Sequence, residues 1–201
     1  MEKVSFKNSR GLTVVGNLHT ALSNSLIFLL HGFTGDKSEF GRFDLAAHVL
    51  ENVGYSILAF DFSGSGEGED DSLTVGKQVD DFHAARNFAE KRGFTKFGVV
   101  GLSLGALVAL RTYGQNISAM VLWTPVTAPL KDPRVRYTRE ELHELDETGF
   151  ITKVKATGPR RSVVIDKQML EERRNVNQEA LLSTHHSYAH YPWHTRHPRP
   201  A

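Results

Sequence analysis

Apolar and polar residues alternate in blocks along the first 126 residues. Strand-like runs at 3–6 and 12–19 flank Asn8-Ser9-Arg10-Gly11, a hairpin turn signal. Four further runs, 26–30, 55–60, 97–100 and 119–123, are nearly all apolar. Strands buried on both faces read this way. Helical stripes lie between them. Leu45, Val49 and Val53 fall at i, i+4 and i+8 before Gly54, and Val75, Val79, Phe82, Ala85 and Phe88 form a second stripe before Gly93. Strands alternating with helices predict an α/β fold, a mostly parallel sheet with helices on both faces.

The pattern changes after residue 126. Pro125, Pro129 and Pro133 interrupt it, and Lys and Arg become dense. Thr138-Arg139-Glu140-Glu141 is a capping box that opens a short charged helix. Asp166 can cap another, running through Met169 and Leu170. We therefore divide the chain into a core (1–126), an insertion (127–182) and an irregular tail (183–201). The insertion reads as a lid over the carboxyl edge of the sheet, where insertions often gate a site, rather than as a merely solvated loop.

Composition narrows the class. The 201 residues are 40% hydrophobic, enough for one core and a small subdomain. Net charge is +1, which gives no basis for a nucleic-acid partner. The absence of cysteine excludes disulfides, thiol catalysis and cysteine-ligated metal. No signal peptide or membrane span is visible, so a soluble cytoplasmic protein is the expectation.

Chemistry concentrates at the ends of three predicted strands. Gly101-Leu102-Ser103-Leu104-Gly105 is a G-x-S-x-G between a strand-like and a helix-like stretch. That context suits a serine nucleophile raised on a sharp turn, with helix amides facing any negative charge beside it. His31-Gly32-Phe33-Thr34-Gly35 and Asp61-Phe62-Ser63-Gly64-Ser65-Gly66 end the two preceding strands of the series. Gly64-Ser65-Gly66-Glu67-Gly68 is not G-x-G-x-x-G and runs into Glu69, Asp70 and Asp71, which would repel a pyrophosphate. His48, His83 and His143 lie on helical patterns and read as surface or packing residues.

Together the three motifs, in this order and spacing, resemble the α/β-hydrolase family, and its small-lid esterase, lysophospholipase and serine-aminopeptidase-like members in particular. The resemblance covers residues 1 to about 182. It implies an α/β-hydrolase fold and a serine hydrolase acting through an acyl-serine intermediate. Ser103 is the implied nucleophile, and the amides of Phe33 and Leu104 are the implied oxyanion donors. His31 is then a residue that shapes the oxyanion loop, and Asp61 one that organises its own loop. The substrate is a small acyl compound, most simply a carboxylic ester, with thioesters or amides as options. Neither metal nor organic cofactor is needed. Two alternatives stay open on this fold, an aminopeptidase-type peptidase and a non-catalytic binding protein.

The family places an acid and then a histidine after the serine, on two later strands. Instead, residues 183–201 show no apolar periodicity and hold half of the ten histidines. His186, His190 and His194 have helical metal-ligand spacing, but Pro192 breaks the helix it would need. A native irregular tail is a second reading. Translation in the wrong frame is a third. Read one base later, the tail's codons permit I-I-P-M-L-I-I-H-G-T-R-D-T-H-V-P, a buried strand followed by the family's acid motif. The glycine is forced, because Trp193 has a single codon and His194 begins with C. The expectation is a frameshift between about Leu181 and His185, a chain lacking the last strands, the triad acid and the triad histidine, and little activity as written.

Overall fold

The computed structural model describes residues 1–114 and 116–183. The reading-frame expectation falls on the tail and lies outside the described residues, apart from its start. The main sheet has six strands, β1 (Glu2–Lys7), β2 (Thr13–His19), β3 (Ser25–Leu30), β4 (Ser56–Asp61), β6 (Lys96–Leu102) and β7 (Ile117–Trp123), in the order β1-β2-β4-β3-β6-β7. A two-residue strand, β5 (Ser72–Leu73), belongs to a second sheet. The β1–β2 and β2–β4 pairs are antiparallel. The β4–β3, β3–β6 and β6–β7 pairs are parallel. The carboxyl ends of β3, β4, β6 and β7 therefore share one edge, where open α/β sheets place their ligands.

Alternation along the strands divides the core in two. Phe28, Leu30, Leu58 and Phe60 face the larger cluster, with α2 (Val75–Lys91) and α3 (Leu104–Arg111). Leu29, Ile57 and Ala59 face a smaller one with Phe43 and Ala47 of α1 (Arg42–Asn52). The stripe expected on α2 packs as predicted on the larger cluster. The stripe on α1 does not. Leu45, Val49 and Val53 are exposed, and Phe43 and Ala47 are buried. Both sets have i, i+4 spacing, and the sheet selects the one carrying the aromatic ring. Two-sided burial also fails at β7, where Val121 is 57% and Trp123 39% exposed. Among the described residues β7 is an edge strand, paired only with β6.

Residues 127–183 form a separate segment that joins β5. A 3-10 turn (Pro133–Arg136) leads to α4 (Arg139–Thr148), with the predicted capping box in place. A hairpin not anticipated from sequence follows, β8 (Phe150–Val154) and β9 (Ser162–Asp166), then α5 (Lys167–Arg174), capped by Asp166, and α6 (Gln178–Ser183). β9 pairs in parallel with β5, making a three-stranded sheet β5-β9-β8. Leu145, Ile151, Val163, Ile165 and Met169 join the larger core cluster. Glu172 accepts from the Val75 and Gly76 amides at the start of α2, at 2.6 and 3.1 Å. The segment is thus anchored on the loop after β4 and the start of α2. Among the described residues, no helix is long and apolar enough to cross a membrane.

Candidate active site

Ser103 stands between the last residue of β6 and the first of α3, with φ 52° and ψ −107°. A non-glycine residue held there costs on the order of 1–3 kcal/mol and persists only where its surroundings fix it. Here the Ser103 amide donates to the Trp123 carbonyl at 2.9 Å, and the Val126 amide donates to the Ser103 carbonyl at 3.2 Å. The flanking glycines are required by proximity. A Cβ on Gly105 would overlap the Leu30 carbonyl, and one on Gly101 would stand 2.6 Å from Ala106 Cα. Leu104 is the first residue of α3, so its amide is among those a helix leaves unpaired.

The loop after β3 lies beside this turn. A Cβ placed on Gly32 would stand 3.6 Å from Ser103 Cβ. The loop folds back through a turn in which Gly35 donates to the Gly32 carbonyl at 3.0 Å. The Phe33 amide has no acceptor among the described residues. His31 is fully buried. Its Nε2 accepts from the Phe62 amide at 3.2 Å, which places the proton on Nδ1, 2.9 Å from the Gly32 carbonyl. Both ring nitrogens are thus engaged with backbone, and the ring ties the β3 and β4 loops together.

Glu39, which sequence reading missed, is the second support of this loop. It is buried, adopts φ 48°, and accepts the Gly32 amide on Oε1 at 2.5 Å. A single acidic residue in a loop carries no periodic signal, so nothing in the sequence marked it. Between this loop and the β8–β9 hairpin lies a cavity of about 330 Å³, lined by Glu39, Phe40, Lys155, Gly158 and neighbours. Ser103 is not among its lining residues.

Asp61 is fully buried and bound from three sides. It accepts from the Lys37 amide and Nζ, each at 2.7 Å, and from the Glu67 amide at 2.9 Å. Lys37 Nζ also reaches Glu67, at 2.5 Å. Burial opposes the charge on Lys37, but its two carboxylate partners outweigh burial and raise its pKa. Glu67, bonded by Lys3 and Lys37, is lowered to about 2. Asp61 therefore holds the β3 and β4 loops in register and has no free edge for proton transfer. A second buried carboxylate, Asp81, accepts from Asn8, Arg10 and both the amide and hydroxyl of Ser63. It pins the β1–β2 turn to α2. Burial raises its pKa despite those bonds.

The five histidines among the described residues are accounted for. His31 is bound to backbone, His19 meets Glu51, His48 meets Asn52, His143 meets Glu147, and His83 is exposed on α2. The others lie in 184–201, outside the described residues, as does the metal-ligand spacing of His186, His190 and His194. Among the described residues no group of three or more His, Asp or Glu side chains is placed to hold a metal. The structure thus brings Ser103, Gly32 and the Phe33–Gly35 loop together at the carboxyl edge.

These features, a mostly parallel sheet, a strained serine at a strand-to-helix turn and a glycine loop beside it, define a class before any comparison. The model of the alpha/beta hydrolase family matches residues 27–201, and the chain belongs to that family. An esterase from Pyrococcus furiosus is 26% identical with a TM-score of 0.59, over 63% of this chain and 51% of that one. The chain therefore spans about half the length of that esterase. The α/β hydrolase GrgF from Penicillium sp. sh18 is 17% identical, TM-score 0.70, over 89% of this chain and 74% of that one. Est1E from Butyrivibrio proteoclasticus, solved with ferulic acid bound, is 18% identical, TM-score 0.66, over 89% and 73% respectively. At such identities these last two show the fold alone.

Proposed function

We propose that Ser103 is the nucleophile of a serine hydrolase that cleaves carboxylic esters. The observation that carries this reading is the strained Ser103 backbone between β6 and α3, with the Gly32 loop beside it. In the proposed reaction, Ser103 Oγ attacks the ester carbonyl carbon and gives its proton to a base. The carbonyl oxygen becomes an oxyanion, held by the Phe33 and Leu104 amides. The C–O bond to the alcohol then breaks, and the alkoxide takes a proton as it leaves. Water attacks the acyl-serine, releasing the acid and restoring Ser103.

The base and its orienting acid are assigned to the frame that the written tail obscures. Residues 127–182 are assigned the role of lid, consistent with their attachment to the loop after β4 at the carboxyl edge. Sequencing the gene from codon 175 onward, with p-nitrophenyl acetate hydrolysis as the functional readout, tests the frame assignment and the proposed activity. One inserted or deleted base should open a frame through the aspartate motif to a later histidine, and the restored protein should show a burst of p-nitrophenol followed by turnover. The chain as written should show neither. Burst acylation of Ser103 in the chain as written would overturn the frame assignment. A folded, restored protein without turnover would favour a binding protein of the same fold.

A further inference from the structure

We infer that Arg173 and Arg136 form an anion-binding site in the segment above the carboxyl edge, suited to a carboxylate or phosphate group on a small ligand. Arg173 lies in the last turn of α5, which packs on the 3-10 turn holding Arg136. The Arg173 Nε is buried and has no acceptor among the described residues. Buried donors in folded proteins are nearly always paired, so an orphan guanidinium nitrogen marks a missing partner. A guanidinium presents five donors in a planar fork matched to carboxylate and phosphate oxygens.

The charge around it points the same way. Other arginines of the segment have carboxylates, Arg134 with Asp146 at 2.8 Å and Arg160 with Asp70. Neither Arg173 nor Arg136 makes an ion pair or side-chain hydrogen bond among the described residues. The groups felt at Arg173 are Arg136 and the Tyr137 hydroxyl; burial first, and the Arg136 charge second, lower its pKa. Glu141 lies near Tyr137, but it is held by Lys153 Nζ at 3.0 Å and by the Thr138 amide at 2.9 Å. Two cations at one site without a counter-charge are stabilised by a bound anion.

The location is also defined. The Arg173 carbonyl accepts the Leu130 amide at 3.0 Å, and Val126 is tied to the Ser103 carbonyl. Leu130 follows Val126 by four positions, at most about 14 Å of extended chain. The arginine pair therefore lies in a segment whose backbone is tied at one end to the Ser103 turn. Binding of the anion does not depend on acylation at Ser103, so this inference and the proposed hydrolase activity can fail separately.

Thermal unfolding of the full chain tests it, with inorganic phosphate and acetate titrated against chloride at constant ionic strength. Phosphate also stabilises proteins by exclusion from their surface, so Arg173→Met provides the reference. The expected result is a saturable rise in Tm for the wild-type chain with at least one of the two anions. Phosphate or acetate acting alone, or the stronger of the two, identifies the oxyanion preferred. Arg173→Met should lose the saturable rise while remaining at least as stable in chloride. Arg136→Gln, at an exposed position, should weaken apparent affinity at least tenfold and provides a second variant if Arg173→Met does not fold. A wild-type chain without a saturable rise, or an equal rise in the variants, would overturn the site.

Discussion

At the scale of single residues, the Ser103 turn is a stored strain held by its neighbours. Ser103 occupies a positive-φ conformation that only glycine adopts without penalty. Ser103→Gly should therefore stabilise the chain, by about 1 kcal/mol, while removing the proposed nucleophile. Urea unfolding monitored by far-UV circular dichroism checks the sign, and a loss of stability would mean the strain is absent. Gly105 has the opposite sensitivity. A Cβ there would overlap the Leu30 carbonyl, at the end of β3, and the His31 carbonyl just after it, and backbone cannot readily give way. Gly105→Ala should cost on the order of 3 kcal/mol, read as a shift in urea midpoint at unchanged slope. The G-x-S-x-G was legible in the sequence because glycines crowded by backbone leave a fixed spacing. Glu39 and Arg173 were not, because each is defined by what surrounds it in space.

Among the elements, the loops after β3 and β4 are clamped by a buried ion network rather than by apolar packing. Asp61 is inaccessible and Lys37 nearly so, with side-chain exposures of 0% and 11%. Lys37→Met leaves the Asp61 carboxylate buried without its cation, although two backbone amides still bond it. The expected loss is about 3 kcal/mol by urea unfolding at neutral pH. The same clamp sets an acid limb. The folded pKa of Glu67 is lowered from 4.5 to about 2, so its contribution is complete above pH 4.5 and is lost as pH falls towards 2. Asp81, whose pKa is raised by burial, has the opposite sign and offsets part of that slope. The midpoint of unfolding should fall more steeply between pH 4.5 and 2 in the wild-type chain than in Glu67→Gln. Equal slopes would mean that Glu67 titrates normally in the folded state.

Element faces also show where sequence patterns stop being informative. Four strands of the main sheet were legible because nearly uninterrupted apolar runs have few other uses, and β1 and β2 because they flank a turn signal. On α1 two stripes of equal spacing compete, and only the sheet beneath selects Phe43 and Ala47 over Leu45 and Val49. The β8–β9 hairpin was hidden because its strands are five residues each and lie in Lys- and Arg-rich sequence. Its buried Ile151, Val163 and Ile165 do alternate, but over too few residues to stand out.

For the whole molecule, the sheet edge and the proposed chemistry belong to one question. β7 has β6 on one side and, among the described residues, no strand on the other, while Val121 and Trp123 remain partly exposed. An apolar strand in that position is an open template for pairing. The proposed frame assignment accounts for it, since the strand readable one base later would follow residues 127–182 and carry the proposed triad acid. The measurement that tests the central claim most directly is mass spectrometry of a fluorophosphonate adduct on protein made from the gene with one base restored near codons 181–185. The account predicts a stoichiometric adduct on the peptide containing Ser103, absent from Ser103→Ala. A folded, restored protein that carries no adduct, or carries it elsewhere, would contradict it.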